Sequence, residues 1–248
     1  MGMPITISVV DENITERGKA KALKAAFDYF KYVDQKFSTY KNDSEISRIN
    51  RGEIKEADYS EDMKIVFALS EETRKETDGY FNIVTPEKTF DTSGMVKGWA
   101  IYNAAQIISA LGFKNFYVDA GGDIEARGKN EEGKVWNAGI RNPFGGGKNE
   151  IVKKIFLENC GMATSGTYIR GQHIYNPHKG RAPLSDIVSI TVVGPSVYEA
   201  DRFATAAFAM GKEGINFVEQ LEGFEGYSID ANGIGTETSN FKKYEKNR

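Results

Sequence analysis

Two oxygen-bearing side chains stand one helical turn apart in the mostly apolar segment VYEADRFATAAFAMG, residues 197–211. The pattern predicts a helix, and residues four positions apart share one helix face, so Asp201 and Thr205 would point the same way. A carboxylate and a hydroxyl are hard oxygen donors of the kind that magnesium prefers. Both residues could instead be structural, with Asp201 bonding the backbone and Thr205 bonding a carbonyl of the preceding turn. Spacing alone leaves both interpretations open.

The only two histidines of the chain lie in the segment GQHIYNPHKG, residues 171–180. His173 precedes an Asn-Pro turn, where an imidazole could shuttle a proton or contact a phosphate. The alternative is a turn in which His173 forms only local hydrogen bonds. A zinc site made of His173, His178 and Cys160 is a further alternative, but its spacing matches no standard zinc motif.

Several segments of glycine and small residues could surround an anion. DTSGMVKGWA, residues 91–100, leads into a predicted helix, and a lysine at a helix start is suited to negative ligands. The frame of a Walker A loop is absent, so an ordinary helix start is the alternative. GMATSGTY at 161–168 is interpreted as a similar loop, and VDAGGDIEARG at 118–128 as a turn between strands. FGGGKNE at 144–150 lies between two strands, which predicts a mobile hairpin loop.

Hydrophobic periodicity predicts the elements that must position these segments. They are a strand over 4–10, helices over 15–37, 60–78, 97–111, 197–210 and 213–221, several strands from 114 onward, a hairpin over 224–237 and a frayed tail. Helices and strands are partly segregated along the chain. This arrangement favours an α+β fold with mixed, largely antiparallel sheets and packed helices, formed as a single compact unit over residues 1–248.

Composition excludes some classes of protein. Hydrophobic residues make up 40% of the 248 residues, enough for a packed core, and the one cysteine precludes an internal disulfide. A net charge of −3 argues against binding to nucleic acid, which requires a basic surface. No apolar run approaches the length of a membrane span. With no signal peptide before the first strand, we expect a cytoplasmic protein, or an exported one whose leader has been removed.

The order of the motifs is more specific than any one of them. FSTYKNDSEISRIN, TDGYFN, DTSGMVKGWA, VDAGGDIEARG, IRNP, ATSGTY, HIYNPHKG and ADRFATAAFAMG follow one another along the chain. Together they resemble the ApbE family, the FAD:protein FMN transferases. The resemblance implies an enzyme that binds FAD, cleaves its pyrophosphate with magnesium and moves FMN onto a threonine hydroxyl of an acceptor flavoprotein, releasing AMP.

The resemblance also implies a role for each matching residue. The carbonyl of Gly94, with Asp201 and Thr205, would bind the metal, and Lys97 would neutralise phosphate charge. Asp201 and His173 would be the catalytic residues, with His173 positioning or deprotonating the acceptor hydroxyl. The residues expected to contact FAD are Met1, Tyr40, Tyr80, Phe81, Asn82, Asp91, Lys97, Thr164, Ser165, Gly166 and Ile174.

Three features depart from the family pattern. Only residues 83–90 separate the Tyr80-Phe81-Asn82 stretch from Asp91, where the family usually has a much longer segment. Asn82 stands where the family commonly has aspartate, and Thr167 where it usually has an acid. The short segment predicts a more open pocket, which motivates hydrolysis of FAD to FMN and AMP as an alternative to transfer. A non-catalytic protein that binds FAD or delivers flavin is a further alternative.

Overall fold

The computed structural model describes most of the chain. The described residues are 2–12, 14–145, 150–167, 174–180 and 184–246. Met1 and His173, both predicted site residues, lie outside these ranges, as do four residues of the predicted glycine loop at 144–150.

Helices and strands alternate irregularly along the described residues. The six α-helices in those ranges are α1 (Glu16–Phe37), α2 (Glu45–Asn50), α3 (Glu61–Glu76), α4 (Ser93–Ala110), α5 (Val197–Ala209) and α6 (Gly214–Glu219). The strands are β1 (Ile5–Val9), β2 (Phe116–Ala120), β3 (Asp123–Arg127), β4 (Trp136–Arg141), β5 (Ile151–Leu157), β6 (Cys160–Gly166), β7 (Ile187–Gly194), β8 (Glu225–Asp230) and β9 (Gly235–Glu237). No helix in the described ranges is long and apolar enough to cross a membrane.

One antiparallel sheet organises the molecule. Its described strands run in the order β1-β2-β3-β6-β7-β8-β9, and each neighbouring pair is antiparallel. β4 and β5 form a separate antiparallel pair. The predicted α+β class with largely antiparallel sheets is therefore confirmed.

Both faces of the large sheet are covered. On one face, α4 and α5 lie side by side, α4 against β2 and β3 and α5 against β6 and β7, and α1 packs on α4. On the other face, the β4–β5 pair contributes Trp136, Ile140 and Leu157 to a second apolar core. Because both faces are covered, strand residues that point to either face can be buried. The strands therefore appear in the sequence both as continuous apolar runs and as alternating apolar and polar residues.

The prediction of a loop at 161–168 is wrong, because β6 occupies most of this segment. β6 lies in the sheet between β3 and β7. Its small residues are explained by the start of α5, which lies directly on the strand: a Cβ at Gly161 would overlap the backbone nitrogen of Val197. Small residues here signal close packing between a strand and a helix rather than a flexible loop.

Other boundaries also differ from expectation. α4 begins at Ser93, four residues before the predicted start, so the glycine segment at 91–100 is mostly helical. The tail is not frayed at Phe241, which is fully buried in a short 3-10 helix, Phe241–Tyr244. α3 ends at Glu76, two residues before the predicted end at 78, and Gly79 follows with a φ of +79°, a conformation that glycine adopts readily.

A buried carboxylate holds the start of α5. Glu125, on β3, is fully buried and accepts the backbone N–H of Val197 at 2.6 Å. Arg127 lies 2.5 Å from its other oxygen. Burial raises the pKa of the Glu125 carboxyl from 4.5 to about 7, although Arg127 and the Val197 N–H oppose this rise. Because a folded-state pKa above the unfolded one means tighter proton binding in the folded protein, this group favours folding most below pH 4.5 and progressively less up to about pH 7.

We expect Glu125→Gln to flatten the pH dependence of stability. Glutamine keeps an acceptor for Val197 but cannot ionise. As the pH rises from about 5 to about 8, the free energy of unfolding of the variant should therefore increase relative to that of the wild type by up to about 3 kcal/mol. Urea denaturation at several pH values measures this difference. The exposed Glu222→Gln is the matched control; an equal pH response in both variants would contradict the assignment.

Candidate active site

A cavity of about 390 Å³ opens where α4, α5 and β6 meet the N-terminal segment. α4 contributes Gly94 and Lys97 to its wall, and α5 contributes Asp201 and Thr205. The end of β6 and the residues before β1 also line it. Residues from opposite ends of the chain therefore share one concave surface, as is usual for binding sites for small molecules.

The close contact between α4 and α5 depends on a glycine. The N–H of Gly98 donates to Oδ2 of Asp201 at 2.7 Å. A Cβ at Gly98 would lie 2.6 Å from the Asp201 Cβ and 2.7 Å from the carbonyl oxygen of Val197, closer than real Cβ atoms approach. Glycine at this position therefore allows α5 to bring a buried carboxylate against the backbone of α4.

Three charged groups meet on this wall. The ammonium of Lys97 forms an ion pair with Oδ2 of Asp123 and lies 3.6 Å from Oδ1 of Asp201. Asp123 and Asp201 are each only 2% exposed. Burial raises the pKa of the Asp201 carboxyl; Lys97 opposes this rise and Asp123 adds to it. Two buried carboxylates facing one lysine make this wall favourable for a further cation.

Oxygen donors lie next to each other on α4 and α5. The Thr205 hydroxyl donates to the carbonyl oxygen of Gly94 at 2.9 Å, and both residues line the cavity with Asp201. A carbonyl, a hydroxyl and a carboxylate are the oxygen types that magnesium takes. The donor set therefore fits the metal that the resemblance implies, with further ligands left to water or a phosphate.

Aromatic residues line another part of the cavity. Tyr80 and Phe81 follow the end of α3, where the N–H of Phe81 donates to the Thr77 hydroxyl at 3.1 Å. The ring of His178 packs edge-on to Tyr80 with centroids 4.6 Å apart, and its Nε2 lies 2.9 Å from the carbonyl oxygen of Asp78. His178 thus connects the Asn-Pro turn to this aromatic segment.

The short segment 83–90 folds back on itself. Val84 and Phe90 form an antiparallel bridge, and the N–H of Thr85 donates to the Thr89 carbonyl at 2.8 Å. Asn50, at the end of α2, brackets the far end: its side chain accepts from Phe90 N–H at 2.7 Å and donates to the Phe90 carbonyl at 2.9 Å. These bonds fix the chain immediately before Asp91 and the start of α4.

The structure brings most of the predicted site residues together. The cavity is lined by Tyr80, Phe81, Asn82, Asp91, Gly94, Lys97, Thr164, Ser165, Gly166, Ile174, Asp201 and Thr205. Tyr40 is not among the lining residues: its side chain is 97% exposed on the loop between α1 and α2, because no neighbouring element covers that turn. Gly2 and Met3 line the cavity, and Met1 lies outside the described residues.

The zinc alternative finds no support among the described residues, which contain no group of three His, Cys, Asp or Glu side chains arranged for a metal. Cys160 is buried in the second core, which raises the pKa of its thiol to about 11. A neutral buried thiol is a poor metal ligand.

Sequence reasoning gave no role to several residues at the site. Arg141, Ser93 and Thr85 line the cavity, and Asp123 contacts Lys97 behind it. Arg141 belongs to the IRNP motif and Asp123 to the Gly-Gly-Asp turn, so their motifs were recognised without their contacts. The signal for Asp123 was an acid placed at the first position of a buried strand, where an unpaired charge would be costly.

We expect Gly98→Ala to destabilise the protein by about 1–3 kcal/mol, because the new methyl group would overlap Asp201 and Val197. Helix propensity alone predicts the opposite sign, a gain of up to about 1 kcal/mol. Urea denaturation decides between them, with the exposed Gln106→Ala on the same helix as control. Increased stability of Gly98→Ala would show that the two helices are not in close contact here.

Comparison with known proteins places the chain among flavin transferases. The sequence profile of the ApbE family matches residues 1–88 and 84–228. The FAD:protein FMN transferase of Haemophilus influenzae is 27% identical over 98% of this chain and 89% of its own length. The protein of the same name from Escherichia coli K12 is 30% identical over 62% of this chain and 46% of its own length.

Solved structures show the same fold. The flavin transferase ApbE from Vibrio cholerae has a TM-score of 0.83 and 22% identity, covering 98% of this chain and 96% of its own. The ApbE protein from Thermotoga maritima has a TM-score of 0.86 and 21% identity, covering 99% and 96%. The family match spans well over half of the sequence and agrees with the ordered motifs. The chain belongs to the ApbE family.

Proposed function

We propose that this protein is a magnesium-dependent flavin transferase that moves FMN from FAD to a threonine hydroxyl of an acceptor flavoprotein and releases AMP. The observation that carries the proposal is the shared wall of α4 and α5. There the Gly94 carbonyl, the Thr205 hydroxyl and the Asp201 carboxylate line one cavity with the Lys97 ammonium. The relatives named FAD:protein FMN transferase support both the enzyme class and FAD as substrate.

The reaction is a phosphoryl transfer in which one P–O bond replaces another. The acceptor oxygen bonds to the phosphorus of the FMN half, and the bond from that phosphorus to the bridging oxygen breaks. AMP leaves with the bridging oxygen, and the hydroxyl proton passes to a base. His173 is our candidate for that base because it precedes the Asn-Pro turn, whose Ile174 and Pro177 line the cavity.

Charge placement is the main task of the protein in such a reaction. Magnesium held by Gly94, Asp201 and Thr205 would neutralise charge on the pyrophosphate. The Lys97 ammonium adds a second positive group on the same helix face as the Gly94 carbonyl. The first turn of α4 also lies at the cavity, so the positive end of the helix dipole favours an anion there.

The aromatic part of the cavity suits the flat rings of FAD. Tyr80 and Phe81 line this part with aromatic rings, and Ile174 adds an apolar contact. Phe81 is 2% exposed and its edge lies next to Gly94, which brings the aromatic and phosphate parts of the pocket together.

Hydrolysis of FAD is the second candidate, favoured by the short segment 83–90. Its internal bonds keep it folded back at the cavity edge, with Thr85 as a lining residue. A short wall excludes less water than a long one, and water competes with the acceptor hydroxyl for the same phosphorus.

One assay separates these functions. The protein is mixed with FAD, magnesium and an acceptor domain that carries a target threonine, and the products are identified by mass spectrometry and chromatography. Labelled acceptor with AMP supports transfer; AMP and free FMN without label support hydrolysis; unchanged bound FAD supports a binding protein.

We expect Asp201→Asn to lower turnover at least about 100-fold, because it removes the charged metal ligand. Asparagine retains an acceptor for the Gly98 N–H, so the fold should persist. The exposed Asp58→Asn is the matched control and should keep wild-type turnover. Full magnesium-dependent activity in Asp201→Asn would refute the metal assignment.

A further inference from the structure

Lys97 stands between two carboxylates that differ in their access to the cavity. Asp201 lines the cavity, whereas Asp123 is not among its lining residues. The ammonium contacts Asp123 directly and lies farther from Asp201, at 3.6 Å. The lysine is therefore held more closely by the carboxylate that does not line the cavity.

Asp123 is fixed in place by the sheet. It is the first residue of β3, after the turn in which Gly121 and Gly122 have positive φ. Its Oδ1 accepts the backbone N–H of Thr164 on β6 at 3.0 Å, which leaves Oδ2 directed to Lys97. The Thr164 hydroxyl is bonded in turn to Thr191 on β7 at 2.8 Å. A carboxylate held this way cannot follow the lysine into the cavity.

The arrangement matters because a lysine and a metal ion compete for the same carboxylate. A buried Asp201 with Lys97 as its sole counter-ion would form a closed ion pair, and a metal would have to displace the ammonium. A second, better-placed carboxylate keeps the ammonium away. The two acids and one lysine also carry a net negative charge, which favours an additional cation.

We infer that Asp123 is a positioning residue that retains Lys97 and thereby leaves Asp201 open to a divalent cation. The inference rests on the proposed metal-binding role of Asp201. It assigns Asp123 no contact with metal or substrate: its effect on the metal passes through Lys97.

Metal binding by four proteins tests this role without an activity assay. They are the wild type, Asp123→Asn, Lys97→Met and the double variant, titrated with Mn²⁺ alone and followed by the electron paramagnetic resonance of free Mn²⁺. Asparagine keeps an acceptor for the Thr164 N–H while removing the charge. Thermal unfolding of each variant accompanies the titration.

We expect Asp123→Asn to weaken Mn²⁺ binding about 10-fold in the wild-type background, because Lys97 then pairs with Asp201. In the Lys97→Met background the same substitution should weaken binding less than about 3-fold. Equal weakening in both backgrounds would mean that Asp123 acts only through its charge and would overturn the inference, as would no weakening in either.

Lys97→Met alone gives an independent result that does not depend on the folding of Asp123→Asn. It should bind Mn²⁺ at least as tightly as the wild type, and weaker binding would overturn the inference. Asp201→Asn separates this inference from the proposed function. If the wild type and Asp201→Asn bind Mn²⁺ equally, the metal role of Asp201 fails and the inference with it. Binding through Asp201 that is insensitive to Asp123 removes the inference alone.

Discussion

The close approach of α4 and α5 over the sheet is the constraint on which the site depends. Gly98 lets the backbone of α4 meet the side chain of Asp201. Gly161 lets the start of α5 lie on β6. A side chain at Gly98 would push α4 and α5 apart, and with them the Gly94 carbonyl and the Thr205 hydroxyl that are bonded across the helix pair.

The packing of α4 against α5 buries charged side chains, which would be costly if those charges had no partners. Asp201 and Asp123 are almost fully buried, and each is satisfied by one backbone N–H and by proximity to Lys97. Removing one partner of such a buried carboxylate would leave its charge uncompensated. The two carboxylates and the Lys97 ammonium together carry one net negative charge, so a cation bound at this wall would also stabilise the fold. Glu125 is a third buried carboxylate in the same part of the sheet, where it holds the start of α5.

The sequence predicted the side chains of the site better than their surroundings. The spacing of Asp201 and Thr205 requires only one helix, so a local rule put them on one face. Gly94 and Lys97 were assigned to the same site only through the family resemblance, because the contact between α4 and α5 spans about a hundred residues of sequence. β6 was predicted to be a loop because its residues are small. They are small because a helix packs directly on the strand, and no local sequence pattern records that contact. Tyr40 was expected at the cofactor from its motif alone, and its exposure depends on what packs around the α1–α2 turn.

The proposed function requires that Gly94, Asp201 and Thr205 form one metal site. Crystals of the protein soaked with Mn²⁺ and FAD, measured at a wavelength where manganese scatters anomalously, test it directly. We expect an anomalous peak bonded to the Gly94 carbonyl, the Asp201 carboxylate and the Thr205 hydroxyl, with the pyrophosphate completing the coordination. A manganese peak elsewhere in the cavity, with Asp201 still bound only to Gly98 and Lys97, would contradict it.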